Sequence, residues 1–416
     1  MSDNYAARIV RLPEPRTIDN LDNLVAIDLF GYTALTQRDA KAGDLRVMFF
    51  AETQLSEEFA RKSNLFRKVE FNESDTETGF LEVNRRVKAI RLRGNESNAL
   101  LMPLESLAFT GVDPATLSEG DSFTEINGAE VCRKYEQPKK PQVQGQPRLK
   151  HRVDEKNFPQ HVDSEHLFRN LGAFRKPTRI VTSQKLHGCA WRGGRVPVLR
   201  QKRWAERLAN RLGFRTADYE TEVVFGSRRV IKGRADNNHY YSSDIWTAYG
   251  EKIVDLIPEN VILYGELVGW TPDGAPVQRG FTYNLPKGEC ELYVYRICSV
   301  NSDGLLIDMA WEAVKSFCND RGLKHVPELD VDVLEVLADD DADLIAEYTA
   351  RWLNRRYHDE GFINAVPLSD PKSVDEGVCI RVEGAPPRVY KSKASRFLEH
   401  ESRMADQEVE DIEAAS

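Results

Sequence analysis

The sequence predicts an α+β protein in which a small N-terminal β-barrel precedes a larger domain of strands and helices. Three observations carry this. The 416 residues exceed what a single core usually organises, so two or more domains are expected. The stretch "YEQPKKPQVQGQPRLK" is rich in Pro, Gln, Gly and Lys without apolar periodicity, which marks a linker over 136–152 between domains at 1–135 and 153–400. Short strands broken by turn signals lie before it, and longer apolar, β-rich runs alternating with helical segments lie after it.

Within 1–135 the strand candidates are "NLVAIDLFGYTAL", "DLRVMFFAE", "FLEVNRRVKAIRLRG" and "ALLMPLESL", with "KAGDLRV" a turn feeding a strand. Their spacing fits a five-stranded OB-like barrel, a fold that commonly binds nucleic-acid strands. Its "RRVKAIRLRG" stretch is either a basic binding stripe or a solvated strand face. Beyond the linker, "HVDSEHLFRNLGAF" predicts a short helix capped by Asp163 or Ser164. "RIVTSQKLHG" is a strand entering a loop, "KRWAERLANRLGF" a helix and "EVVFGSRRVI" a strand. "SDIWTAYGEKIVDLI" places Ile245, Tyr249, Ile253 and Leu256 on one helical face. "VILYGELVGW" and "CELYVYRICSV" suit central strands. The segment 328–358, acidic and then basic, predicts a helix. "GVCIRVEG" and "PRVYKSK" predict two strands joined by "GAPP", then a short charged helix and an acidic tail over 401–416.

Hydrophobic residues make up 41% and charged residues 30%, an ordinary soluble composition. No apolar run is long enough for a bilayer, and "MSDNYAARIV" lacks a signal-peptide core, so no membrane partner is expected. Six scattered cysteines without a CxxC pair fit reduced thiols in a cytoplasmic protein. The net charge of −9 leaves room for a local basic groove, for which 175–234 is the richest region. The chain has no Gly-Lys dipeptide, which excludes a P-loop ATPase.

Chemistry concentrates in five places, taken in order: "KLHG" at 185–188, "SRR" at 227–229, "GELVG" at 265–269, "YVYRI" at 293–297, and "EGVCIR" (376–381) with "KSK" (391–393). In type and order these resemble the nucleotidyl-transfer motifs of the ATP-dependent polynucleotide ligase and capping-enzyme superfamily. His in KxHG and an N-terminal OB module are similar to its nick-sealing RNA ligases. The resemblance covers roughly 155–400 and implies a nucleotidyltransferase (adenylation) domain of antiparallel sheets flanked by helices. It also implies ATP and Mg²⁺ or Mn²⁺ as cofactors, and RNA ends or a nicked duplex as partner. A monomer is the default.

On this resemblance Lys185 is the nucleophile. An amine attacks phosphorus only when unprotonated, and burial with neighbouring cations frees its lone pair. Lys391 and Lys393 alternate with Ser392, so both face one side of a strand, where they offset phosphate charge and ease that deprotonation. Glu376 suits a hard divalent cation. Glu266, set among apolar strand residues where an unpaired carboxylate is costly, suits a ribose hydroxyl or a metal-bound water. Tyr295 aligns with the aromatic that stacks on adenine, while Tyr293 is expected in the core. Arg228 is expected on phosphate or the RNA end, and His187 and Gly188 complete the nucleotide loop. Two departures stand out: Gln184 replaces the usual Glu that contacts the adenine amino group, and Ala190 stands where many DNA ligases carry Arg. A DNA ligase, an mRNA guanylyltransferase and an inactive nucleic-acid-binding protein on the same scaffold are the alternatives.

Overall fold

The computed structural model describes residues 3–136, 152–170, 178–232, 244–334, 368 and 374–407. Most of the expected linker, and the expected helix from 335 onward, lie outside the described residues.

Residues Leu45–Phe50 form an interior strand of an N-terminal sheet ordered Ser122–Phe123, Ala7–Arg11, Leu45–Phe50, Ala99–Pro103, Tyr32–Gln37, Leu24–Leu29, Arg16–Thr17. Its residues point alternately to two cores: Val47 and Phe49 join Phe59 and Leu107, while Met48 and Phe50 join Val25 and Ile27. "NLVAIDLFGYTAL" is a hairpin turning at Phe30-Gly31, both at positive φ, as a two-residue loop between twisted strands requires. Among the described residues no sheet closes on itself, so the expected five-stranded barrel is replaced by an open seven-stranded sheet with two-residue strands at its edges. "FLEVNRRVKAIRLRG" contributes only Ile90–Leu92, because Arg86 turns inward and breaks the alternation of a strand.

The larger part is built on two further sheets. One runs Glu165–His166, Arg388–Lys393, Gly377–Val382, Thr178–Lys185, Glu328–Leu334. The other is built around Tyr219–Gly226, Cys189–Leu199, Val261–Gly269 and Cys290–Val300. A shared core joins them: Val181 and Leu186 from the first meet Leu263, Leu267 and Val294 from the second. Helix Ile245–Ile253, capped by Asp244, and helix Trp311–Arg321, ended by Gly322 in the left-handed region, cover this core.

Two segments expected as helix carry strands: Glu165–His166, which a short 3-10 turn, Leu167–Arg169, follows, and Glu328–Leu334. Glu165–His166 pairs with Tyr390 and Lys391, and the Asp163 carboxylate is engaged by Arg228 instead of capping a helix. Glu328–Leu334 lies antiparallel to Thr178–Ser183; "ELDVDVL" alternates acidic and apolar residues with a period of two. The C-terminal helix, Ser395–Asp406, runs through the expected boundary at 401 and docks on the N-terminal part. Arg86, 1% exposed, donates to Ser402 O at 2.8 Å and to Asp406 Oδ1 at 2.6 Å, and its other Nη meets Glu52. Ser402 Oγ donates to Glu52 and accepts from Ala89 N. Among the described residues no helix is long and apolar enough to cross a membrane.

Candidate active site

Strand register decides what surrounds Lys185. Lys185 pairs with Gly377, and Gly377 pairs with Lys393 on the next strand. Directly opposed residues of antiparallel strands project to the same side, so the two lysines emerge together, as does Lys391 two residues earlier. Gly377 has φ +136°, and a β-carbon there would stand 2.1 Å from Ser392 O, so only glycine lets these strands close. After Lys185 the chain crosses through Leu186, His187 and Gly188 into the second sheet. The nucleophile candidate therefore sits at the junction of the two sheets.

Glu376 is turned into that junction and is 1% exposed. Its Oε1 lies 2.7 Å from Lys185 Nζ and 4.0 Å from Lys393 Nζ, and its Oε2 lies 3.7 Å from His187 Nδ1. Neither carboxylate oxygen has an aligned hydrogen bond, and neither does His187 Nδ1. The His187 ring is wedged between Phe281 and Phe397, and its backbone N–H donates to Tyr283 Oη at 2.7 Å. Gly188 N donates to Glu266 Oε1 at 3.0 Å. A β-carbon on Gly188 would stand 2.2 Å from Leu267 O, so the loop lies directly against the Glu266 strand.

This geometry corrects the electrostatic expectation for the nucleophile. The charge at 2.7 Å from Lys185 is a carboxylate, which favours the ammonium, the form that cannot attack. Lys393, expected to repel that proton, is itself locked as a cation. Burial works against its charge, but Glu401 at 2.5 Å and then Glu376 outweigh burial and push its pKa up. Release of the Lys185 proton thus requires something that draws Glu376 away. A buried carboxylate without an aligned hydrogen bond on either oxygen is a suitable hard ligand for Mg²⁺ or Mn²⁺ once its ion pair with Lys185 is released. Among the described residues no three His, Cys, Asp or Glu side chains cluster as a ready-made metal cage.

The remaining candidates separate. Glu266 pairs across strands with Tyr293, which lies buried in the shared core as expected. Tyr295 falls at the bulge between those strands; its hydroxyl meets His161 Nδ1 at 2.5 Å and its ring tilts against His161. Gln184 is buried and its amide exchanges two hydrogen bonds with the Leu368 backbone, at 2.7 and 3.1 Å, so the expected adenine reader holds a chain segment in place. Arg228 is ion-paired with Asp163. Burial would raise the Asp163 carboxyl, but Arg228, with Lys391 and Arg229, holds it below its ordinary range, which also places Lys391 toward this end of the site. Arg192, without an expected role, is buried over Phe158 and donates to Phe158 O. The motifs gave no sign of Tyr283, Phe281, Phe397 or Glu401. Glu401 lies eight residues beyond Lys393, at a distance set only by the helix between them.

Comparison with solved structures shows the same fold at low identity. An apo point mutant of Naegleria gruberi RNA ligase aligns with a TM-score of 0.58 at 16% identity, covering 97% of this chain and 100% of that one. Naegleria gruberi RNA ligase with pyrophosphate gives 0.57 at 18% identity, covering 95% and 98%. A mutant of the same ligase with ATP and Mn gives 0.57 at 17%, again covering 95% and 98%. Comparison with curated protein sequences finds no significant match. The RNA ligase family model matches residues 178–395, more than half of the chain, and these run from the strand that ends at Lys185 to the first residue of the C-terminal helix. With the Lys185 loop, the two acidic side chains and the paired lysine strands all inside that span, the chain belongs to the RNA ligase family.

Proposed function

We propose that the protein is an ATP-dependent RNA ligase that joins a 3′-hydroxyl to a 5′-phosphate, acting at nicks in duplexes through lysyl-AMP and an adenylated 5′-phosphate. The observation that carries this is the gathering of Lys185, His187 and Lys393 within 4.0 Å of the buried Glu376 carboxylate, at the crossing between two sheets. In the first transfer Lys185 Nζ, its proton lost to solvent once the Glu376 contact is broken, gives its lone pair to the α-phosphorus of ATP. The bond from that phosphorus to the bridging oxygen breaks, and pyrophosphate leaves with the electron pair. Glu376, backed by Glu266, would hold Mg²⁺ or Mn²⁺, which would supply positive charge against the α-phosphate. Lys393, held charged, and Lys391 stabilise the charge that builds there, the main lever for phosphoryl chemistry.

A 5′-phosphate oxygen then attacks the adenylate phosphorus and frees Lys185. The 3′-hydroxyl oxygen finally attacks the 5′-phosphorus, and AMP leaves. His187 holds the loop by wedging between two rings, and Tyr295 stacks on the base. Arg228 meets phosphate or the RNA end when it exchanges Asp163 for a polyanion. Residues 1–135 serve as a nucleic-acid module beside the 153–400 transfer domain, in a cytoplasmic monomer.

Incubation with α-labelled ATP and Mn²⁺, followed by denaturing electrophoresis, tests the first transfer. Label is expected on wild type and none on Lys185→Ala; an unlabelled wild type contradicts the reading. A panel of nicked duplexes with RNA or DNA on the 3′-hydroxyl side then fixes the strand preference.

A further inference from the structure

Between strands Cys189–Leu199 and Tyr219–Gly226 the chain makes an arm, residues 200–218, whose helix Trp204–Arg211 buries no residue. The helix is amphipathic, yet its apolar stripe faces solvent: Trp204 is 79% exposed, and Leu208 and Leu212, one and two turns on, are exposed with it. Gly213, at φ +92°, turns the chain after the helix, and Phe214, which follows it, is 70% exposed. Beside this stripe Arg203, Arg207 and Arg211 recur every fourth residue, and Arg215 follows; all four are exposed. The arm holds six basic residues and two acidic ones in a chain of net charge −9. Both acids are already taken, Glu206 by Arg200 and Asp218 by Lys202. Arg203, Arg207, Arg211 and Arg215 make no ion pair among the described residues.

We propose that this arm is a docking surface for the RNA duplex that flanks the join, with the arginine stripe on phosphates and Trp204 and Phe214 against sugars or base edges. The inference rests on the RNA ligase reading and adds to it the place where substrate is gripped. Three arginines spaced four residues apart span about 12 Å, the reach of several consecutive phosphates of one strand. Arginine suits phosphate because its planar fork binds two oxygens, and duplex RNA is recognised mainly through backbone and shape. The arm leaves the far end of the eleven-residue strand that begins beside the Lys185 loop, about 33 Å away. It therefore engages duplex roughly one helical turn from the join.

The test uses the full chain with a nicked RNA duplex of about 12 base pairs on each side, and a second duplex cut to about 6, across a salt series. Replacing Arg203, Arg207, Arg211 and Arg215 together by Gln is expected to weaken binding of the long duplex at least ~10-fold and to lower its salt slope by about 3. The short duplex should be bound equally by variant and wild type. Trp204→Ala with Phe214→Ala should weaken binding with the slope unchanged. Self-adenylylation should stay within about twofold in both variants, which checks the fold, since all six side chains are exposed and far from Lys185. Unchanged affinity and slope in the arginine variant, with a wild type that joins RNA, would overturn the arm's role alone. A wild type that joins no RNA overturns the ligase reading and this inference with it. Arm-dependent binding to phosphatidylglycerol vesicles, with RNA binding unaffected, would assign the surface to membrane and overturn the proposal.

Discussion

Two buried charge clusters lie along the strand–helix unit 388–406, one at Lys393 and one at Ser402 and Asp406, and they are built differently. At the docking junction Arg86 has acceptors for both Nη groups in Glu52, Ser402 O and Asp406, and Ser402 Oγ is bonded on two sides. At the Lys185 junction Glu376 is as deeply buried, yet neither of its oxygens has an aligned hydrogen bond. The first cluster fixes architecture through hydrogen bonds to both Nη groups of Arg86, although its Nε has no partner. In the second, Glu376 is held by charge, with Lys185 at 2.7 Å and Lys393 at 4.0 Å, where chemistry needs charge to arrive and leave. A buried carboxylate held by ion pairs without an aligned hydrogen bond is the one that can exchange its partner for an outside group.

Exchanging the demands on the two clusters breaks or sharpens this contrast. The largest effect is expected for Glu376→Gln, which should slow lysine adenylylation by about 10²–10³-fold, as loss of a charge-stabilising group does. Its thermal midpoint should fall as well, because Lys185 and Lys393 lose the carboxylate at 2.7 and 4.0 Å, so the rate is read at a temperature where the variant is folded. An undiminished rate in the folded variant would show that Glu376 is structural. Next comes Arg86→Met, which leaves Glu52 and Asp406 without their shared cation and should cost about 3 kcal/mol in chemical denaturation. A loss under about 1 kcal/mol would mean that the junction is an exposed contact in solution. The smallest effect is expected at the rim, for Asp163→Asn. The Asp163 carboxyl is held below its ordinary pKa when folded, so its contribution is present above about pH 3.8 and is lost as pH falls through the lower folded value. The acid-unfolding curves of wild type and variant should differ near neutral pH and merge at the acid end. Curves that stay apart there would contradict the Arg228 pairing.

The contrast also explains what was legible in the sequence. Strands such as Thr178–Lys185 and Arg388–Lys393 were readable, because alternation and turn residues are local signals. That Lys391 and Lys393 share a face followed from their spacing alone. The carboxylate at 2.7 Å from Lys185 was not readable, because it depends on the pairing of Lys185 with Gly377 across nearly two hundred residues. Glu401 and Arg86 were hidden for the same reason, since docking between distant segments leaves no periodic trace. Glu328–Leu334 was misread because a long acidic run after it suggested a helix, although its own two-residue alternation indicated a strand. Tyr293 was readable as a core residue, but the contact of the Tyr295 hydroxyl with His161 was not, because it joins segments 134 residues apart.

The most direct test is to react the full-length protein with ATP and Mn²⁺, digest it and map the adenylate by mass spectrometry. The predicted result is a single AMP-bearing peptide containing Lys185, strongly diminished in Glu376→Gln and absent when the divalent cation is chelated. AMP on any other residue, or on Lys185 at an undiminished rate in Glu376→Gln, would contradict the account.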